Sequence, residues 1–144
     1  MTSIVLDASV AAKWLLPSAA EPLAGEAFEL LRRYVRAEIR FLVPDIFWPE
    51  TANLLWKAAR LGRCTKKAAQ QALDSLVERK LPTAPSLPLL ASAFAIAAEF
   101  DRTVYDSLYV ALAIHYRAEF VTADENLANA VAARLPVKWL GALA

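Results

Sequence analysis

The stretch from Tyr105 to His115, YDSLYVALAIH, is apolar on nearly every side. A helix without a polar face has to be buried, so this segment predicts a central helix with the rest of the chain packed round it. Asp106 lies in its first turn. A carboxylate in such a place is desolvated unless a positive group stands beside it. Four residues beyond the helix, Glu119–Phe120–Val121–Thr122 is a short strand, and Asp124 follows it. In open α/β sheets ligands bind just past the C-terminal ends of strands. This helix–strand unit therefore brings two carboxylates toward one crevice.

The other strands have the same character. Ser3–Asp7 (SIVLD) is β-branched and aliphatic without alternation, as in a strand buried on both faces. It ends in Asp7, which can also be read as the N-cap of a helix over Val10–Leu16 that stops before Pro17. A helix follows over Glu21–Ala37, with Arg32, Arg33 and Arg36 near its C-terminal end, where cations suit the helix dipole. Ile39–Val43 is a second strand. Asp45 is placed to cap the next helix, which has Pro49 in its first turn, then Glu50, and a glycine stop at Gly62. Glu50, Asn53 and Lys57 share one face of that helix. Thr65 caps a helix to Arg79, Leu81–Thr83 is an edge strand because of Pro82, and Pro88–Phe100 is an apolar helix. Asp124 is a plausible cap for a helix over Glu125–Arg134, and Val137–Leu140 closes the series. Alternating strands and helices predict a parallel sheet with helices on both faces.

At 144 residues the chain has the length of one domain, residues 1–144. Its 58% hydrophobic content exceeds that of an ordinary soluble domain and suggests apolar surface covered by a partner or a second copy. A net charge of +1 is neutral on nucleic acid as a partner. The lone Cys64 excludes an internal disulfide framework and fits a reducing cytoplasm. One Cys and one His exclude a Cys/His zinc set. No stretch resembles a signal peptide or a membrane span.

The recurring theme is an acid at the end of an element: Asp7, Glu50, Asp106 and Asp124. Four ionised carboxylates share a crevice only if cations neutralise them. Oxygen-only ligands suit Mg²⁺ or Mn²⁺, which serve phosphoryl transfer by activating water and stabilising charge on a phosphodiester. The hydroxyls of Ser9 and Thr122, two residues from Asp7 and Asp124, can orient a carboxylate or make a local turn hydrogen bond. Arg60, Arg63, Lys66 and Lys67, with Lys57, form a basic run that suits either a solvated surface or an RNA backbone. Three glycines and no Gly-rich loop argue against a nucleotide-binding P-loop. His115 has no nucleophile beside it and reads as a core or helix-end histidine. A haloacid-dehalogenase-type phosphatase needs an Asp where Ser9 stands. A receiver-type phosphorylation switch needs an acidic pair after the first strand, and only Asp7 is there.

SIVLDASV at the start, PET at Pro49–Thr51, TVYDSLYVALA around Asp106 and VTADENL around Asp124 together resemble the PIN-domain ribonucleases, in particular the VapC-like toxins of toxin–antitoxin pairs. The blocks span nearly the whole chain. The resemblance implies a three-layer α/β/α fold with a central parallel sheet. It implies a Mg²⁺- or Mn²⁺-dependent endoribonuclease, held in check by an antitoxin protein and commonly a homodimer. By position, Asp7, Glu50, Asp106 and Asp124 match the family's acidic metal-binding set, and Ser9 and Thr122 its supporting hydroxyls. Asn126 stands where some members carry a further acid. Trp14, Leu15, Leu16, Phe47, Trp48 and Trp56 are expected to be core in the main, with some lining an antitoxin groove or a dimer contact. The alternatives are a non-enzymatic acidic metal-binding or receiver-like module, and a nuclease acting on DNA.

Overall fold

The computed structural model describes residues 1–17, 19 and 21–143. Five strands form one parallel sheet: β1 (Thr2–Leu6), β2 (Ile39–Pro44), β3 (Thr83–Ala84), β4 (Glu119–Thr122) and β5 (Val137–Trp139), in the order β3-β2-β1-β4-β5. Seven α-helices accompany them among the described residues: α1 (Ala8–Leu15), α2 (Ala24–Val35), α3 (Phe47–Arg60), α4 (Lys66–Glu78), α5 (Leu90–Phe100), α6 (Val104–His115) and α7 (Glu125–Val131). The three-layer α/β/α architecture of the sequence reading is present.

β1 lies at the centre, as its unbroken aliphatic run requires. Val5 and Leu6 are fully buried. From β1 the chain builds outward on one side through β2 and β3, then crosses to build β4 and β5 on the other. The strand order therefore reverses between β1 and β4, and such a switch point opens a crevice at the strands' carboxyl ends. Leu6 pairs in register with Val121, which brings Asp7 level with the end of β4.

The apolar helix α6 crosses β1, β2 and β4. Its middle, Ser107–Ala113, is buried, but Tyr105 and Ile114 at its ends are exposed. The apolar helix α5 packs along it and buries only Ala93 among its own residues, so Leu90 and Phe94 face solvent. Uniform apolarity placed α6 inside and failed to place α5, which packs one face on α6 and leaves the other outward.

Several boundaries and caps differ from the expectation. The helix expected from Glu21 begins at Ala24, after Leu23 in the left-handed region (φ 62°). The stretch expected as one helix from Pro88 starts as a 3₁₀ turn, Leu87–Leu89. The helix after Asp124 ends at Val131, short of Arg134. Asp45 caps nothing: the N-cap of α3 is Ile46, and Asp45 instead accepts the Ser86 backbone N–H at 2.9 Å, tying two loops together. Thr65 and Asp124 cap α4 and α7 through side-chain hydrogen bonds as expected. Gly62, at φ 76°, makes the left-handed turn that ends α3.

Candidate active site

Asp7, Ala8, Ser9, Glu50, Asn53, Leu54, Asp106 and Asp124 line one cleft of about 270 Å³ at the carboxyl ends of β1 and β4. All four acids singled out from the sequence meet there. They come from the end of β1, the first turn of α3, the first turn of α6 and the N-cap of α7.

Asp7 occupies the N-cap position of α1 but makes no side-chain cap hydrogen bond. Its carboxylate serves the cleft instead. Oδ2 accepts the Thr122 hydroxyl at 2.7 Å and the Ser9 hydroxyl at 3.0 Å. Ser9 Oγ also accepts the Ala123 backbone N–H at 3.2 Å, and Thr122 Oγ1 accepts that of Asp124 at 3.0 Å. Both hydroxyls thus join β1 to the end of β4 and fix one oxygen of Asp7. The other oxygen, Oδ1, takes no part in these bonds.

Burial pushes the Asp7 carboxyl up to about 6, against the opposing pull of the Thr122 and Ser9 hydroxyls and with the help of Glu50 and Asp106. Burial likewise raises Glu50 and Asp106. Asp124 raises Asp106 further, while Thr103 and Arg102 pull it down. Asp7, Glu50 and Asp106 are thus held in a place that disfavours their ionised forms, as in a site that awaits positive charge.

Tyr109 was not among the residues selected from the sequence. Its hydroxyl donates to Glu50 Oε1 at 2.6 Å, and its ring stacks on Phe120 with centroids 5.0 Å apart. Tyr109 lies three residues after Asp106 and shares its helical face. That spacing was a usable signal. Burial raises the Tyr109 hydroxyl well above its ordinary range, with help from Asp7 and Glu50, so it stays protonated and donates. Thr103 caps α6 by accepting the Asp106 backbone N–H at 3.0 Å, which fixes the turn that carries Asp106.

The remaining residues divide. Lys57 and Arg63 line a second cleft, of about 300 Å³, which shares Ser9 and Leu54 with the acidic one. The polar stripe of α3 thus runs from Glu50 and Asn53 in one cleft to Lys57 in the next. Arg60 lies over the Trp56 ring at 5.2 Å, and Lys66 lines a separate groove between α3 and α4. Lys67 is exposed, and Asn126 is exposed in the first turn of α7 and does not line the acidic cleft. His115 ends α6 on the surface, against the edge of Tyr116. Of the aromatic and aliphatic set, Phe47 is fully buried. Leu16 is buried, and Leu15 packs on the core. Trp14 and Trp48 are partly buried, donating to the Ala27 carbonyl and the Thr83 hydroxyl. Only Trp56, at 58%, is largely exposed.

A divalent cation fits the donor set in kind: carboxylate oxygens, with no thiolate or imidazole among them. As placed, no three acidic side chains converge on one point among the described residues. An ion held by one or two carboxylates and completed by water and substrate, the usual habit of Mg²⁺, fits this arrangement better than an all-protein cage.

A parallel sheet with this switch point, its crevice lined by acids from four elements, defines a class. Residues 4–132 match the PIN domain model, and the chain belongs to the PIN-domain family. Over 128 residues it is 34% identical to Ribonuclease VapC3 of Pyrobaculum aerophilum, a match covering 88% of this chain and 92% of that protein. Among solved structures, that of PAE2754 from Pyrobaculum aerophilum superposes with a TM-score of 0.69 at 23% identity, over 97% of this chain and 85% of the other. The structure titled VapBC2 from Rickettsia felis, bound to a DNA fragment from their promoter, superposes with a TM-score of 0.65 at 15% identity, over 96% and 98%. These two likenesses are of fold. The VapC likeness does not favour the receiver-type and non-enzymatic readings.

Proposed function

We propose that this protein is a divalent-metal-dependent endoribonuclease acting as the toxin of a toxin–antitoxin pair, with Asp7, Glu50, Asp106 and Asp124 as its acidic site. One observation carries the reading: four carboxylates from four separate elements share a cleft in which at least three of them are pushed toward protonation. The match to Ribonuclease VapC3 supports the substrate class. Mg²⁺ or Mn²⁺, held by one or two of the acids, supplies activation of water and neutralisation of the phosphodiester charge.

The chain's own residues do the positioning. Ser9 and Thr122 orient Asp7 through Oδ2 and leave Oδ1 for the ligand. Tyr109 holds Glu50 by one oxygen in the same way. Thr103 holds the first turn of α6 and with it Asp106. Leu54 forms an apolar wall beside the acids. Asn53, next to Glu50, offers the cleft an amide for a ribose or phosphate oxygen.

The partners are an antitoxin protein and a second copy of the chain. Exposed Trp56, Leu87, Leu90 and Phe94 are the apolar side chains that such partners cover. No helix among the described residues is long and apolar enough to cross a membrane. We place the protein in the cytoplasm with its RNA.

The test is cleavage of a mixed RNA pool by purified protein in Mg²⁺, Mn²⁺ or EDTA, beside Asp7→Asn and Asp106→Asn variants. Metal-dependent cleavage absent from both variants is expected. Cleavage that survives both substitutions, or an antitoxin-free protein inert on total cellular RNA, overturns the proposal. A parallel digest of single- and double-stranded DNA separates the DNA-directed alternative.

A further inference from the structure

The second cleft is built differently from the first and adjoins it. Ser9 and Leu54 belong to both. Its charged lining comes from Lys13, Glu21, Lys57 and Arg63. Lys13 lies in α1 and is 6% exposed, a rare burial for a lysine. Its Nζ is 3.3 Å from Glu21 Oε2, while the Arg63 guanidinium holds Glu21 Oε1 at 2.8 Å. One carboxylate thus serves two cations, and Lys57 adds a third positive charge without an ion-pair partner among the described residues.

A buried ion pair is a weak source of stability, because desolvation offsets the attraction. Three cations round one carboxylate therefore leave a net positive pocket that packing does not explain. Glu21 fixes Lys13 and Arg63 in place and satisfies only part of their hydrogen-bonding capacity. The basic run of the sequence is sorted by this geometry. Lys57 and Arg63 face the cleft, whereas Arg60 rests on Trp56 and Lys66 lines another groove.

We infer that the Lys13–Lys57–Arg63 cleft is a phosphate subsite for single-stranded RNA, holding a backbone phosphate beside the scissile linkage while the acidic cleft takes the linkage itself. The inference rests on the nuclease reading above. Ionised carboxylates in the acidic cleft repel a polyanion. An adjoining positive pocket offsets that repulsion and fixes the register of the strand, as phosphate contacts do. Ser9 and Leu54 line both clefts, so the two subsites are neighbours.

The experiment measures binding of a fluorescent random-sequence 12-nucleotide RNA in EDTA over a series of salt concentrations, and cleavage of pooled RNA in Mg²⁺ or Mn²⁺. Wild type is compared with Lys57→Ala/Arg63→Ala and with Arg60→Ala/Lys66→Ala. Each phosphate contact on a single strand contributes about 0.7 to the slope of log K against log salt. The first variant is expected to lose about 1.4 of that slope, to bind at least tenfold more weakly and to cleave with a raised KM. The second is expected to keep the wild-type slope. Lys57 and Arg63 lie at the protein surface, so both variants are expected to fold, which circular dichroism checks. Wild-type cleavage with unchanged slope and KM in Lys57→Ala/Arg63→Ala overturns the subsite and leaves the nuclease reading standing. Equal losses in both variants also overturn it, since they mark diffuse attraction. Unchanged RNA binding with loss of affinity for an octaglutamate peptide assigns the cleft to a protein carboxylate and overturns it as well. A wild type that neither binds nor cleaves RNA removes both readings.

Discussion

Asp7 has its pKa raised in the folded state, to about 6 from an ordinary 3.8, chiefly by burial. The sign follows directly. The group's contribution to stability is fully present below about pH 4 and is lost as pH rises through about 6. At neutral pH an ionised Asp7 costs the metal-free protein up to about 3 kcal/mol, since each pKa unit is worth 1.36 kcal/mol. Asp7→Asn keeps an oxygen able to accept the Ser9 and Thr122 hydroxyls and removes the charge. In EDTA at pH 8 the variant is expected to melt higher than wild type, with the gap closing near pH 4.5, while it cleaves no RNA. Thermal melts at the two pH values check this, and equal melting temperatures at both would refute it. Tyr109→Phe keeps the stacking on Phe120 and loses the 2.6 Å bond to Glu50. A hydrogen bond to a charged group is worth about 1.5–3 kcal/mol, so kcat is expected to fall about tenfold or more. Without that bond Glu50 rises further, and the acidic limb of the pH–rate profile is expected to shift to higher pH, a change that a purely structural role for Tyr109 does not produce.

Among the elements, α6 joins fold and site most closely. Its middle is packed from Ser107 to Ala113, and its first turn presents Asp106 to the cleft. Thr103 connects the two roles by capping the helix through the Asp106 N–H, and the Thr103 carbonyl accepts the Ser107 hydroxyl at 2.8 Å. Thr103→Ala is expected to cost about 1 kcal/mol of stability and to lower activity by more than that loss explains, because the turn carrying Asp106 loosens. Denaturant titration and cleavage rates on the same preparation separate the two effects. Leu112, fully buried in α6, is a control that touches only packing. Leu112→Ala is expected to cost about 2–5 kcal/mol while leaving the activity of the remaining folded fraction unchanged. The strands and most helices were legible in the sequence, because each is a short apolar run or an amphipathic stretch bounded by turn residues. The edges were less so. Asp45 has the chemistry of a cap, yet it spans to Ser86, and nothing local distinguishes those two uses.

At the scale of the whole molecule, the protein sets an acidic cleft and a basic one side by side, at the switch point of a parallel sheet. A cation that binds the folded state and not the unfolded one stabilises it by mass action, about 2.7 kcal/mol at a hundredfold excess over Kd. The acids must lose their protons to bind it, so the rise in melting temperature on adding Mg²⁺ or Mn²⁺ is expected to grow from pH 5 to pH 7. It is expected to be absent in Asp7→Asn. Calorimetry with and without EDTA checks this, and a pH-independent effect would place the ion elsewhere. The sequence by itself determined the parallel α/β architecture and the buried place of α6, and it singled out four acids that the fold brings to one cleft. Those follow from local apolar runs and periods and from carboxylates at element ends, which neighbouring residues specify. Only the tertiary structure decided that Tyr109 serves Glu50, and that Lys13 and Glu21 belong with Arg63. It alone sorted the basic run into two faces and left α5 half in solvent. These pairings join residues 8 to 59 positions apart, and a contact at such separation is set by how the layers pack, which no local pattern records.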